Sequence, residues 1–203
     1  MSSTSGLTVK LFAEAEIPTE FGKFMVSVYH NNKNKDEAVL VSLNLSKEEV
    51  PFVRIHSECF TGEVLSSMKC DCKAQLALSL ELIQKKGAGA VVYLRQEGRG
   101  IGLGNKIKAY ALQNKGHDTI EANHILGFAT DLRDFEEAAL ILKDRNIRKV
   151  VLNTNNPDKI ASLKGFGISV EAVEPSLTDL NEHNEKYLET KMNELGHKLK
   201  DLF

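Results

Sequence analysis

Ala90-Val91-Val92-Tyr93-Leu94-Arg95-Gln96-Glu97-Gly98-Arg99-Gly100-Ile101-Gly102-Leu103-Gly104-Asn105-Lys106 runs from an apolar stretch into a glycine-rich, basic one. Five consecutive apolar residues suit a strand buried on both faces. The glycines then lead into a helix predicted over about 105–114 and stopped at Gly116. The alternation continues downstream. Asp134 with Glu137 predicts a capping box for a helix through Lys143, and Val150-Val151-Leu152 reads as a strand. Asn156-Pro157 opens another helix with proline at its first position, and residues 168–173 form a last strand. Upstream, Phe24, Val26 and Val28 alternate, as do Val39, Val41, Leu43 and Leu45, with turn residues at 31–36 between them. Phe52-Val53-Arg54-Ile55 adds a third short strand, and Leu76, Leu80 and Ile83 place a helix on Gln75–Lys86. The predicted class is α/β (α+β): one domain over 1–203, with an antiparallel N-terminal β part and a later alternating strand/helix part. Leu188, Met192, Leu195 and Leu199 mark an amphipathic C-terminal helix within 178–200, a candidate homodimer contact.

The glycine-rich loop has the chemistry of an anion site. Glycines let the backbone approach a ligand, a helix start offers free N–H groups, and Arg95, Arg99, Lys106 and Lys108 add charge. Neither G-x-G-x-x-G nor the P-loop pattern is present, so the alternative is a flexible turn. Thr154-Asn155-Asn156-Pro157-Asp158-Lys159 lies between a strand and a helix as a second candidate anion site, or else an ordinary helix cap.

Bulk composition restricts the function classes. Of 203 residues, 27% are charged and 42% hydrophobic, with a net charge of −2. That charge gives no general case for nucleic-acid binding, and no run approaches the roughly 18 apolar residues of a membrane span. The three cysteines, Cys59, Cys70 and Cys72, cluster in C-x10-C-x-C spacing. An odd, clustered set argues against a disulfide framework and points to a reducing, cytoplasmic setting. Three thiolates suit zinc with water in the fourth place. The alternatives are a closed structural site completed by His56 or His124, and three cysteines acting as apolar filler.

Taken together, the motifs resemble those of the GTP cyclohydrolase II family from residue 17 to 175. They are Arg54-Ile55-His56-Ser57-Glu58-Cys59, Lys69-Cys70-Asp71-Cys72, Arg95-Gln96-Glu97-Gly98-Arg99, Asn105-Lys106-Ile107, Glu121-Ala122-Asn123-His124, Asp131 to Asp134, and Thr154 to Pro157. The resemblance implies one catalytic zinc per subunit on Cys59, Cys70 and Cys72, whose water attacks carbon 8 of guanine with release of formate. It implies Mg2+ with the triphosphate, and pyrophosphate loss. Arg54, Ile55, His56, Ser57, Glu58, Gln75, Glu97, Gly98, Arg99, Thr119, Thr154 and Lys159 match GTP-contacting positions, with Glu97 expected to accept from the guanine amide and amino groups. Tyr110 matches the ring-opening tyrosine, Asp131 a proton acceptor, and Arg133 a nucleophile at the α-phosphate. A guanidinium has no free lone pair, so a phosphate clamp is the chemically easier role for Arg133. Lys73 and Gly104 depart from the family's commonest pattern, in which glycine and leucine stand there. The synthase domain fused to some relatives is expected to be absent. The alternative functions are a GTP-binding paralogue without full turnover, an enzyme that stops at the formylated product, and a nucleobase deaminase, whose H-x-E and C-x-x-C motifs this chain lacks.

Overall fold

The computed structural model describes residues 6–33, 37–178 and 184–197. Its strands are β1 (Val9–Thr19), β2 (Gly22–Asn31), β3 (Glu37–Leu43), β4 (Phe52–Ser57), β5 (Gly89–Leu94), β6 (Lys149–Asn153) and β7 (Ser169–Glu174). They form one seven-stranded sheet in the order β1-β2-β3-β5-β4-β6-β7. The first four in that order pair antiparallel, and β5, β4, β6 and β7 pair parallel. The expected mixed α/β sheet is thus found, with the change of direction at β5. The helices are α1 (Phe60–Glu63), α2 (Cys72–Lys86), α3 (Gly102–Gln113), α4 (Thr119–Ile125), α5 (Glu136–Asp144), α6 (Pro157–Gly165) and α7 (Glu185–Leu195). Among the described residues, no helix is long and apolar enough to cross a membrane.

Alternation along the central strands divides the core in two. Val53 and Ile55 of β4 and Ala90, Val92 and Leu94 of β5 join Phe135, Ile141, Leu142 and Leu163, which places α5 and α6 on one face. Phe52 and Val91 cluster instead with Phe24 and Ile83, which places α2 on the other. Both faces of these strands are covered, which is why their sequences are nearly continuous apolar runs. From β4 the chain passes through α2 to β5 on one side, then returns through α5 to β6 on the other. In such sheets the ligand crevice lies outside the carboxyl ends of the parallel strands where the order reverses.

Several elements differ from expectation. β1 carries no burial signal: it is an edge strand, exposed along nearly its whole length and joined to β2 by backbone pairing. The capping box at Asp134 and Glu137 does not form. Asp134 Oδ1 instead accepts the Glu136 N–H at 2.6 Å, while Glu137 takes the Asn31 amide at 2.7 Å. A donor on a neighbouring strand has outcompeted the local one. At α6 the expected cap is present, with Asn156 Oδ1 accepting from Asp158 N at 2.8 Å and proline at the first turn. On α7, Leu188 is fully buried and Lys191 reaches Asp71, so these two residues of the helix pack on their own chain. Leu199 and the side chain of Leu195 lie outside the described residues.

Candidate active site

The three cysteines come from the segment that leaves β4: Cys59 precedes α1, Cys70 lies in the following loop, and Cys72 opens α2. Their sulfurs all lie within 4.8 Å of one another, and Cys59 and Cys70 are 3.7 Å apart. Tetrahedral zinc with Zn–S bonds of about 2.3 Å places its ligand sulfurs about 3.8 Å apart, so this donor set fits the metal. A Cβ on Gly62 would stand 2.9 Å from Cys70 Sγ and 3.2 Å from Cys59 Sγ; glycine keeps that side of the cluster open. Hydrogen bonds from Cys70 and Cys72, aided by the Lys106 ammonium, lower the Cys59 pKa and favour its thiolate.

Glu63 braces this cluster from behind. Its carboxylate accepts the Cys59 N–H at 3.0 Å and the Tyr93 hydroxyl at 2.6 Å, and meets His56 Nε2 at 2.8 Å. Arg54 Nε donates to His56 Nδ1 at 3.1 Å, so the ring proton sits on Nε2 and points to Glu63. Burial lowers the His56 pKa to about 4, and the ring is neutral. With both ring nitrogens engaged, His56 is not a fourth metal ligand. His124 sits instead beside Thr130, at 3.5 Å. Among the described residues, the only group of three or more side chains arranged to hold a metal is the cysteine triad. Among the described residues, neither His56 nor His124 therefore closes the cysteine site.

The glycine-rich loop leaves β5 beside the cysteines. Lys106 Nζ lies 3.1 Å from Cys59 Sγ and 2.8 Å from Glu97 Oε1. Burial opposes its charge, but Glu97 and Cys59 outweigh that and raise its pKa, so it stays an ammonium. Glu97 Oε1 also accepts the Gly98 N–H at 2.8 Å, and Oε2 the Phe60 N–H at 2.6 Å. Three protein donors already occupy this carboxylate. It organises the loop, and a guanine amide and amino group would meet only the acceptor capacity that is left. Tyr110 lines the same pocket, with Lys69 5.1 Å and Lys106 5.8 Å from its ring centre. Gly100 takes φ +91°, and a Cβ there would lie 3.1 Å from Leu132 Cβ. That close approach, with Leu132 N–H donating to the Arg99 carbonyl at 3.1 Å, docks the loop on Asp131–Asp134.

Arg133 grips Asp131 in a fork, Nε to Oδ1 at 2.9 Å and NH2 to Oδ2 at 2.5 Å. Burial would raise the Asp131 pKa, but the Arg133 bonds and charge prevail and hold it below the ordinary carboxylate value. Arg99 and Arg133 stand between the cysteine pocket and an adjoining one lined by Arg54, His56, Gln75 and Lys159. Arg54 donates to Gln75 Oε1 and to Asn153 Oδ1, the latter at 3.3 Å; burial lowers its pKa to about 10, so it keeps its charge. Lys159 Nζ donates to the Ile55 carbonyl at 2.8 Å. Ser57, Glu58 and Gly98 line the cysteine pocket, where Glu58 pairs with Arg95 at 2.7 Å. Thr154 Oγ1 accepts the Asn156 N–H at 3.0 Å at the end of β6. Thr119 begins α4, and its side chain lies outside the described residues.

Sequence reading gave Lys106 only a general charge and gave Glu63, Gly62, Tyr93 and Asp71 no role. Glu63 and Gly62 sit between the cysteines, which was the one signal available; Tyr93 looked like a plain strand residue. A family model described as GTP cyclohydrolase II matches residues 10–175. The riboflavin biosynthesis protein RibBA of Bacillus subtilis (strain 168) is 49% identical over 201 residues, 95% of this chain and 50% of that one. That of Thermotoga maritima is 49% identical over 198 residues, 97% and 50%. A GTP cyclohydrolase-2 of Aeromonas hydrophila subsp. hydrophila is 47% identical over 194 residues, 95% of this chain and 98% of that one. The chain spans about half the length of the RibBA relatives.

Proposed function

The chain belongs to the GTP cyclohydrolase II family, and from that membership we propose that it hydrolyses GTP, opening the guanine imidazole ring at carbon 8 and releasing formate and pyrophosphate, at the first step of riboflavin biosynthesis. One observation carries the reading: three convergent thiols and a set of buried cations occupy adjoining pockets at the carboxyl ends of the same parallel strands. A purine triphosphate needs both, a metal centre at the base and positive charge along the phosphates. Cys59, Cys70 and Cys72 would hold a zinc ion, which would supply Lewis acidity to lower the pKa of a water near carbon 8.

The protein's own groups do the rest. Glu63 holds the Cys59 backbone, Glu97 holds Phe60 and Lys106, and Lys106 sets a positive charge against Cys59. Tyr110 faces the pocket from α3, placed to pass a proton as the ring opens. Arg133, aligned by Asp131, is a phosphate clamp at the junction of the two pockets, and Asp131 acts by holding it. Arg54, Arg99 and Lys159 bind phosphate, with Gln75 aligning Arg54. Ser57, Glu58, Gly98, Thr119 and Thr154 complete the substrate contacts. Magnesium is assigned to the triphosphate, whose hard oxygens it prefers. The three free thiols suit a cytoplasmic setting. A homodimer completes the reading, and exposed Leu11, Phe12, Ile17 and Met25 at the antiparallel edge offer apolar surface for it. The test is mass spectrometry of the products from GTP and Mg2+, with zinc measured by elemental analysis. Formate, pyrophosphate and one zinc per chain are expected; a formylated product or an unreacted base would overturn the assignment.

A further inference from the structure

The second pocket has a wall that the motifs do not account for. Besides Arg54, Arg99, Arg133 and Lys159, it is lined by Lys191 of α7 and by His197 just beyond that helix. Lys191 is buried, and its Nζ donates to Asp71 Oδ1 at 2.7 Å. Asp71, between two of the cysteines, also accepts from Gln75 Nε2 at 2.6 Å. The His197 N–H donates to the Lys191 carbonyl at 3.1 Å, turning the chain back over the end of α7. Four arginine and lysine side chains from elsewhere in the fold meet a fifth cation here, with Asp71 bonded to Lys191 and Asp131 to Arg133. Five cations converging on one pocket present charge-assisted donors that suit a polyanion. The mutual repulsion is visible. Burial, then Arg54, Arg133 and Lys191, hold Lys159 well below its ordinary pKa. Burial, then Lys191, Lys159, Arg133 and Arg99, press His197 to about 3.

We propose that Lys191 and His197 are binding residues, and that α7 forms one wall of the subsite that takes the β- and γ-phosphates of the nucleoside triphosphate. The nucleotide's identity rests on the GTP reading above; the polyphosphate subsite stands on the pocket itself. Lys191 supplies a charge-assisted donor and His197 a ring nitrogen donor, both carried by a segment outside the span of the family match.

The test uses the full, zinc-loaded chain and titration calorimetry with inorganic tripolyphosphate, GTP and GMP. Lys191→Met is combined with Asp71→Asn so that no buried carboxylate is left unpaired. The double variant is expected to bind tripolyphosphate and GTP at least about tenfold more weakly, with GMP within about threefold and zinc content unchanged. Lys191→Arg should stay within about threefold of the native chain, and His197→Ala should weaken tripolyphosphate about threefold. Unchanged tripolyphosphate affinity in the double variant would overturn the proposal. So would equal losses for GTP and GMP, or a loss that tracks zinc, either of which would make Lys191 only a strut for the metal loop. Lys191-dependent tripolyphosphate binding in a chain that releases no formate from GTP would sink the GTP reading and leave this one standing.

Discussion

At the scale of single residues, the site is built from side chains that each do two things. Arg133 is forked onto Asp131 and also faces the pocket, and a guanidinium without a free lone pair is better suited to the proposed clamp than to nucleophilic attack. Arg133→Lys is therefore expected to keep roughly a tenth of native pyrophosphate release, and Arg133→Ala to lose about a hundredfold. A dead lysine variant, or a nucleotide adduct trapped on Arg133, would reverse that assignment. Gly62 is a spacing residue: an added methyl group would meet Cys70 Sγ at 2.9 Å. Gly62→Ala should weaken zinc binding by at least about tenfold, read by competition with a chromophoric chelator. The cysteine cluster was legible because thiols are rare and these are adjacent in sequence. Glu63 and Lys106 were not, because Tyr93 and Cys59, respectively, meet them only after β4 and β5 have paired.

At the scale of elements, local signals held where the partner was local. Pro157 and Asn156 start α6 as read, since the cap bonds a backbone N–H two residues away. Asn156→Ala should lower stability by about 1 kcal/mol in chemical denaturation. They failed where a distant group competed, as Asn31 does for Glu137. The glycine-rich loop shows both sides. Its glycines forecast close approach, and at Gly100 the group that comes close is Leu132 of the chain's own Asp131–Asp134 segment. Gly100→Ala should cost about 1–3 kcal/mol through its positive φ and this contact, and it should reduce turnover more than zinc content, because it shifts Arg133 and not the cysteines. Equal losses of both would refute that separation.

At the scale of the whole molecule, the proposed zinc and the protons act on the same crevice. Stripping zinc with a chelator should lower the melting temperature and expose amides of residues 59–72 to hydrogen exchange before those of β4 and β5. His56, neutral and buried with a pKa near 4 against about 6.5 when unfolded, favours the folded state fully above pH 6.5. That contribution, on the order of 3 kcal/mol, is lost as pH falls toward 4, because the unfolded chain then binds the proton more readily. An NMR titration showing His56 protonated at pH 6 would refute it. The sequence by itself determined the mixed α/β class, the double-faced burial of β5 and the cysteine cluster with its family, since periodicity, composition and adjacent motifs are local properties. It did not determine the exposed edge strand β1, which is held by backbone pairing and leaves little side-chain signature. Nor did it reveal that α7, which reads as an amphipathic helix, is tied to the cysteine loop of its own chain. Only the tertiary structure decided that, because the Lys191–Asp71 bond joins residues 120 apart and exists only once the sheet has brought the ends of β4 and β6 together.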